Sequence, residues 1–452
     1  MLCLIGTVQT ACSDSSPVET QDPGPIEEPA IPDELTSDVI AFVGVNVLPM
    51  NEERVLMDHT VLIRNGSIEA LGPKNIVTVP QGADRIEVRD AYLIPGLSDM
   101  NTHMVSNLPD GENDLFLYVA NGVTTVRVID GDQTILQWRD EIAGGSRLGP
   151  TMHVSGSPLD GEDSGDRFLI TNPLNIATAE EGREAVREQQ AAGYDYVTIY
   201  NTLEPDVYDA IMDEASILGI KAIGHIPVAV SLEQAIAAGQ YSTEHLNPFA
   251  RSVVERSGPG RWEGEFLDTR AAEGAATMAA STMWNCPTLA SYQRNDAPQS
   301  ATRSDNRYAS PALSRNFYPT ANEPTTPENT RRMVRALHDA GARLILGTWT
   351  GIRYLLPGFA VSDELAALTG SGLTAFEALE TTTANVAEYF GDTADIGTIE
   401  VGNRADLVLL DSNPLDRVRN VERRVGVMVR GHWFSEKRLQ ERLETIATSY
   451  GK

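Results

Sequence analysis

From residue 40 the chain sets apolar and polar positions in short alternating runs: 40–45 (Ile-Ala-Phe-Val-Gly-Val), 60–64 and 67–71. The last two are joined by Asn65-Gly66, a dipeptide suited to the tight turn of a hairpin. Runs 85–88, 91–93, 405–410 and 425–430 have the same character, so both chain ends contribute pieces of one small sheet domain. Between them the period switches back and forth. Candidate strands end near His103, Val128, Ser155, Tyr200, His225, His245, Thr288 and Thr348, with helical stretches at 180–192, 205–218, 232–238 and 327–340 among the connections. Eight repeated strand–helix units predict an α/β protein built as a (β/α)8 barrel. Two connections are long, 157–172 and 290–323; the second, read as structureless, has the length of a lid or binding loop. Both leave the C-terminal ends of strands, where barrel active sites are built.

Composition narrows the classes. At 452 residues, with 41% hydrophobic and 22% charged positions, the chain is long enough for one large domain and a smaller one, and too apolar to be disordered throughout. Thirty-five Lys and Arg against 64 Asp and Glu give a net charge of −29. Such a field repels nucleic acid and anionic lipid. Only four lysines occur, Lys74, Lys221, Lys437 and Lys452, which restricts any chemistry that needs an amine. The three cysteines, Cys3, Cys12 and Cys286, are too scattered for a disulfide framework or a structural zinc site. Residues 2–8 are apolar and lead through Thr10-Ala11 to Cys12, then to an acidic, Pro-rich stretch. This pattern predicts a lipoprotein signal remnant at 1–12, a disordered tether at 13–38, and export to the periplasm or to a membrane through a lipid on Cys12.

Seven histidines occur. His103, His225 and His245 fall at strand C-termini, and three imidazoles meeting at one barrel mouth form a candidate site. His59, His338 and His432 read as structural. His153, two residues before a strand end, points either way.

The run 93–103 (Leu-Ile-Pro-Gly-Leu-Ser-Asp-Met-Asn-Thr-His) resembles the first barrel strand of the amidohydrolase superfamily, in its imidazolonepropionase-like and prolidase-like branch. Further matches are 122–127 (Gly-Val-Thr-Thr-Val-Arg), 222–225 (Ala-Ile-Gly-His), 242–245 (Ser-Thr-Glu-His), 374–379, 396–402 and 405–408. The resemblance spans about 40–434. It implies a barrel over 94–389, a composite β-sandwich from 39–93 and 390–436, and a trailing helix at 437–452. It also implies hydrolysis of C–N bonds in amides, cyclic amides and small peptides by one or two zinc-like ions.

This chain departs from that pattern at the metal. Of the strand-one histidine pair the first is Asn101 and the second is His103; the strand-four carbamylated lysine is Thr198; the strand-eight aspartate is Trp349. His225 and His245 are intact. Threonine cannot bridge two cations, and tryptophan can neither bind metal nor shuttle a proton. Lys221 cannot substitute, since four residues of strand put it about 13 Å from His225. What stays open is one zinc ion on His103, His225 and His245, the number of neutral ligands a catalytic zinc uses, or no ion at all. Glu162 and Asp163 in the loop after strand three are the candidate carboxylates.

Without metal, His103, His225, His245 and Tyr200 could run acid–base chemistry. The resemblance gives the Tyr200 position a substrate-holding role. Asp163, replacing a loop histidine that holds a carboxylate, favours a neutral or cationic ligand; Trp349 and Asn101 are left to line it. Three functions follow: a C–N hydrolase with at most one ion, a metal-free lyase or isomerase, or a ligand-binding protein without catalysis. All three take a small molecule as partner.

Overall fold

The computed structural model describes residues 33, 35, 37–104, 111–161, 173–254, 264–295, 303–315, 326–351, 354–391 and 395–452. Residues 1–32, with Cys12, lie outside these, as do Glu162 and Asp163.

Both chain ends meet in one mixed sheet of eight strands. Val39–Val47 lies at its middle, antiparallel to Leu56–Arg64 and parallel to Asp84–Glu87 and Tyr92–Pro95. Tyr92–Pro95 in turn pairs with Leu407–Leu410, which leads through Arg424–Val429 to His432–Ser435 at the edge. Phe42, Ile86, Leu93, Leu407, Met428 and Trp433 form the core of this region. The trailing helix forms as Glu436–Ser449, capped by Ser435.

The central chain alternates short parallel strands with helices, and the strands are labelled here in chain order. They are β1 (Leu97–Thr102), β2 (Val123–Val128), β3 (Thr151–Val154), β4 (Tyr196–Ile199), β5 (Lys221–Gly224), β6 (Ser242–Glu244) and β7 (Trp284–Cys286). An extended run, 344–350, stands in the eighth place. All residues of β1 and β2 are buried, as expected of parallel strands covered on both faces. β1, β2 and β3 pair in parallel. A bridge from Ser155 to Tyr196 leads to the β4–β5 pair. Tyr241 then donates to the Ala222 carbonyl, ahead of the β6–β7 pair. Asn285 bridges Leu344, and Met100 donates to Leu346 while Thr102 bridges Thr350. Hydrogen bonds thus lead from each segment to the next and from the last back to the first.

Several helices begin where their sequences supply a cap or a first-turn proline. Thr178 and Glu181 form a reciprocal capping box for Ala179–Ala192, satisfying two of the amides that a helix start leaves open. Pro205 and Pro327 occupy first-turn positions of Pro205–Leu218 and Pro327–Asp339, where no amide is needed. The stretch 290–323 departs from the expectation of a structureless loop. It carries helix Leu289–Asn295, a 3-10 turn Ser304–Tyr308 and helix Pro311–Arg315, because Tyr308, Ala309 and Leu313 bury themselves in the main core.

Candidate active site at the strand ends

Several of these segments deliver a polar or aromatic residue at or just past the C-terminal end. His103 follows β1, Tyr200 and Asn201 follow β4, His225 follows β5, His245 follows β6, and Trp349 lies in the eighth run. Three strand ends turn through a left-handed backbone: φ is 66° at His245, 52° at Thr288 after β7, and 59° at Trp349. Residues with side chains disfavour this region, and surrounding structure must hold them there. His245 N donates to the Cys286 carbonyl at 3.0 Å, and Trp349 N to the Asn101 carbonyl at 2.8 Å.

The turns bring four rings into series. Tyr200 stacks on His225 at 4.7 Å, His225 meets His245 edge-on at 5.1 Å, and His245 lies against Trp349 at 4.1 Å. Tyr200, His225 and His245 are buried; Trp349 is half-buried. His225 Nδ1 lies 2.9 Å from Asn201 Oδ1. An amide oxygen only accepts, so this contact places a ring proton on Nδ1. His245 Nδ1 is 2.8 Å from Thr288 Oγ1. The third imidazole is held separately: His103 Nδ1 lies 2.8 Å from Asp130 Oδ2 beyond β2.

At the positions the resemblance assigns to metal, other bonds have formed. Asn101 Nδ2 donates to Glu244 Oε2 at 2.8 Å. The second Glu244 oxygen accepts from Arg127 Nη2 at 2.6 Å. Arg127 is wholly buried and also donates to Met100 O, Ser242 Oγ and Tyr389 Oη. Burial opposes its charge, yet Glu244 beside it raises its pKa. Thr198 and Ser155 share a hydrogen bond at 2.6 Å. Asp99 accepts from Thr348 Oγ1 at 2.5 Å and from two amides, while burial lifts its pKa to about 7. This donor set does not fit a pair of divalent ions. The Asn101 amide is engaged by a carboxylate, Thr198 by a serine, and Trp349 offers no ligand atom. Among the described residues no three His, Cys, Asp or Glu gather closely enough to hold an ion.

Of the residues singled out in the sequence, the structure brings Tyr200, His225, His245 and Trp349 together, binds Asn101 into the interior and holds His103 apart from them beside Asp130. Asp163 lies outside the described residues. His153 belongs elsewhere: it stacks on Phe390 at 3.7 Å, in a cavity of about 390 Å³ beside Asp195, Lys221 and Arg404, and burial lowers its pKa to about 4. Arg127, Asp130, Asn201 and Glu244 were not read as site residues. A lone Arg in the apolar run 122–127 was the one available signal.

Comparison with known proteins bears on the fold and the family. No curated protein matches. Among solved structures, one from Bifidobacterium longum assigned as a prolidase superposes with a TM-score of 0.69 at 23% identity, covering 92% of this chain and 99% of that one. Bottromycin amidohydrolase gives 0.72 at 23% identity, covering 92% and 91%. A Xaa-Pro dipeptidase with methionine bound in its active site gives 0.69 at 18%, covering 88% and 100%. At such identities the likeness is one of fold. The model of the amidohydrolase family, however, matches residues 92–434, three quarters of the chain, and the protein therefore belongs to the amidohydrolase family, hydrolases of carbon–nitrogen bonds.

Proposed function

We propose that this protein hydrolyses the C–N bond of a small amide, cyclic amide or dipeptide-like compound at the mouth of a (β/α)8 barrel, using at most one metal ion. The family supports the reaction class, and the neighbours named as a prolidase, a dipeptidase and an amidohydrolase support the size of the substrate. The observation that carries the reading is the Tyr200–His225–His245 series, with the His225 proton fixed on Nδ1 by Asn201. His225 Nε2 can then take a proton from an attacking water and return it to the departing amine, with the Tyr200 hydroxyl as a second donor. Trp349 against His245 favours a second reading, a ligand-binding protein that has lost catalysis.

The two separate in one experiment. Protein purified without chelator is assayed against amides, dipeptides and lactones while its metal content is measured. Turnover that disappears in His225→Ala and His245→Ala, with one equivalent of metal or less, is the expected result. Absence of turnover across the panel, with ligand binding retained, selects the second reading. Export with a lipid on Cys12 is part of the proposal, checked by mass spectrometry of the protein from a membrane fraction.

A further inference from the structure

Residues 288–292, just past β7, hold His245 at two points. Thr288 Oγ1 lies 2.8 Å from the ring Nδ1, and the Tyr292 hydroxyl donates to the His245 carbonyl. Thr288 makes its contact from a left-handed backbone, φ 52°, which a β-branched residue keeps only where its surroundings fix it. The next two residues supply that fixing. The first turn of helix Leu289–Asn295 leaves its amides without partners along the helix, and a group from far along the chain takes them. Glu364, fully buried in helix Phe359–Gly370, accepts from Leu289 N at 2.8 Å on Oε1 and from Ala290 N at 2.6 Å on Oε2. Ala290 also clusters with Leu355 and Ala360, so the turn rests on the Glu364 helix through polar and apolar contact together. Asp363 ties that helix down in turn, accepting from Arg419 at 3.1 Å.

We propose that Glu364 is a positioning residue for His245: it fixes the Leu289 and Ala290 amides and thereby keeps the Thr288 hydroxyl on the ring. Without its carboxyl group two buried donors lose their partners. The turn relieves this by rotating, which relaxes Thr288 from its left-handed φ and draws Oγ1 away from Nδ1. The ring then shifts against Trp349 and His225, the neighbours it meets at 4.1 and 5.1 Å. The effect is confined to one imidazole, because Nδ1 of His225 and of His103 is held by Asn201 and Asp130 instead. The weight of Glu364 for turnover rests on the hydrolytic role proposed above for this site; its hold on the ring does not.

The test follows the ring nitrogens of the seven histidines by NMR in the full-length protein, labelled with nitrogen-15, at one fixed pH with EDTA present. The His245 signals are assigned by their loss in His245→Ala. Thr288→Val removes the hydroxyl and so gives the movement of the Nδ1 resonance that follows when its partner is lost. Glu364→Gln offers one acceptor but turns an amide donor towards the second N–H. It is expected to move the His245 Nδ1 resonance in the same direction as Thr288→Val and by at least half as much. His103 beside Asp130 and His153 on Phe390 should stay where they are. An unmoved His245 resonance overturns the proposal, and so does equal movement of His103 and His153, which would mean a general loosening. Amide exchange in the wild type needs no variant to fold: Leu289 and Ala290 must be protected as strongly as Leu365 and Leu368 of the Glu364 helix, and rapid exchange at either overturns the proposal too. All of this is read without substrate, so a failed search for turnover sinks the hydrolase reading alone, and an unmoved ring sinks the positioning role alone.

Discussion

A guanidinium sealed inside the strands needs partners for its donors. Four of the five N–H donors of Arg127 reach a backbone carbonyl, a serine, a tyrosine and Glu244. Taking two charges from water is costly, and removing one partner leaves the other uncompensated. Glu244→Gln should therefore lower stability by about 3–5 kcal/mol, measured by urea unfolding; a loss below about 1 kcal/mol would show that the pair is replaceable. The same network explains how far the site was legible. His225, His245 and Tyr200 could be placed because a polar residue at the end of an apolar run marks a strand terminus. Their partners could not. Asn201, Thr288 and Asp130 lie in turns whose left-handed or irregular backbone has no periodicity to read, and Glu244 shows its role only when Arg127 arrives from another strand.

Turns between elements are where geometry leaves least freedom. Gly224 ends β5 at φ +109°, and a Cβ there would lie 2.4 Å from the Ile199 carbonyl oxygen, the same oxygen that accepts from His225 N at 2.8 Å. Gly224→Ala must therefore push β4 and β5 apart beneath the Tyr200–His225 stack. A stability loss of about 2–4 kcal/mol is expected from strain and overpacking together, read by thermal unfolding; an unchanged melting temperature would mean that the strand ends are loosely set. Helix Phe359–Gly370 offers a second case. Its buried Glu364 accepts from the Leu289 and Ala290 amides at 2.8 and 2.6 Å, while burial lifts its pKa to about 8. The native state then keeps the proton up to about pH 8, whereas the unfolded chain releases it near the ordinary carboxylate value. This group's contribution to stability is present at low pH and is lost progressively as the pH rises to about 8. Urea unfolding from pH 5 to 8 should show a shallower decline in Glu364→Gln than in the wild type; parallel curves would refute the shifted carboxyl. Element positions themselves were legible, since apolar runs, Thr178 and the N-terminal prolines each act locally. Strand His432–Ser435 escapes the pattern because Trp433 and Phe434 are adjacent aromatics, so its sequence does not show the alternation of its burial, and the helices in 290–323 form through burial against distant parts of the core.

At the scale of the molecule, the sheet from the chain ends and the parallel strands are joined by buried polar contacts. Arg424 of the sheet donates to the Ala120 carbonyl and to Asn121 Oδ1 at the end of helix Gly111–Ala120, and burial lowers its pKa to about 10. Such a seam could not be read from patterning, because it pairs residues about 300 positions apart. The charge balance, by contrast, is fully legible and acts everywhere at once. Many visible ion pairs, such as Arg64–Glu69, Arg85–Glu87 and Arg335–Asp339, are near half exposed and contribute little each. They cannot offset the mutual repulsion of 29 uncompensated negative charges, which opposes the compact state. Raising salt from 0.01 to 1 M shortens the screening length from about 30 to about 3 Å, below the spacing of most surface carboxylates but longer than the contacts within a pair. Repulsion should therefore fade before attraction does, and the melting temperature should rise by a few degrees across that range. A flat or falling curve by calorimetry would mean that local ion pairs, rather than net charge, govern the stability of this surface.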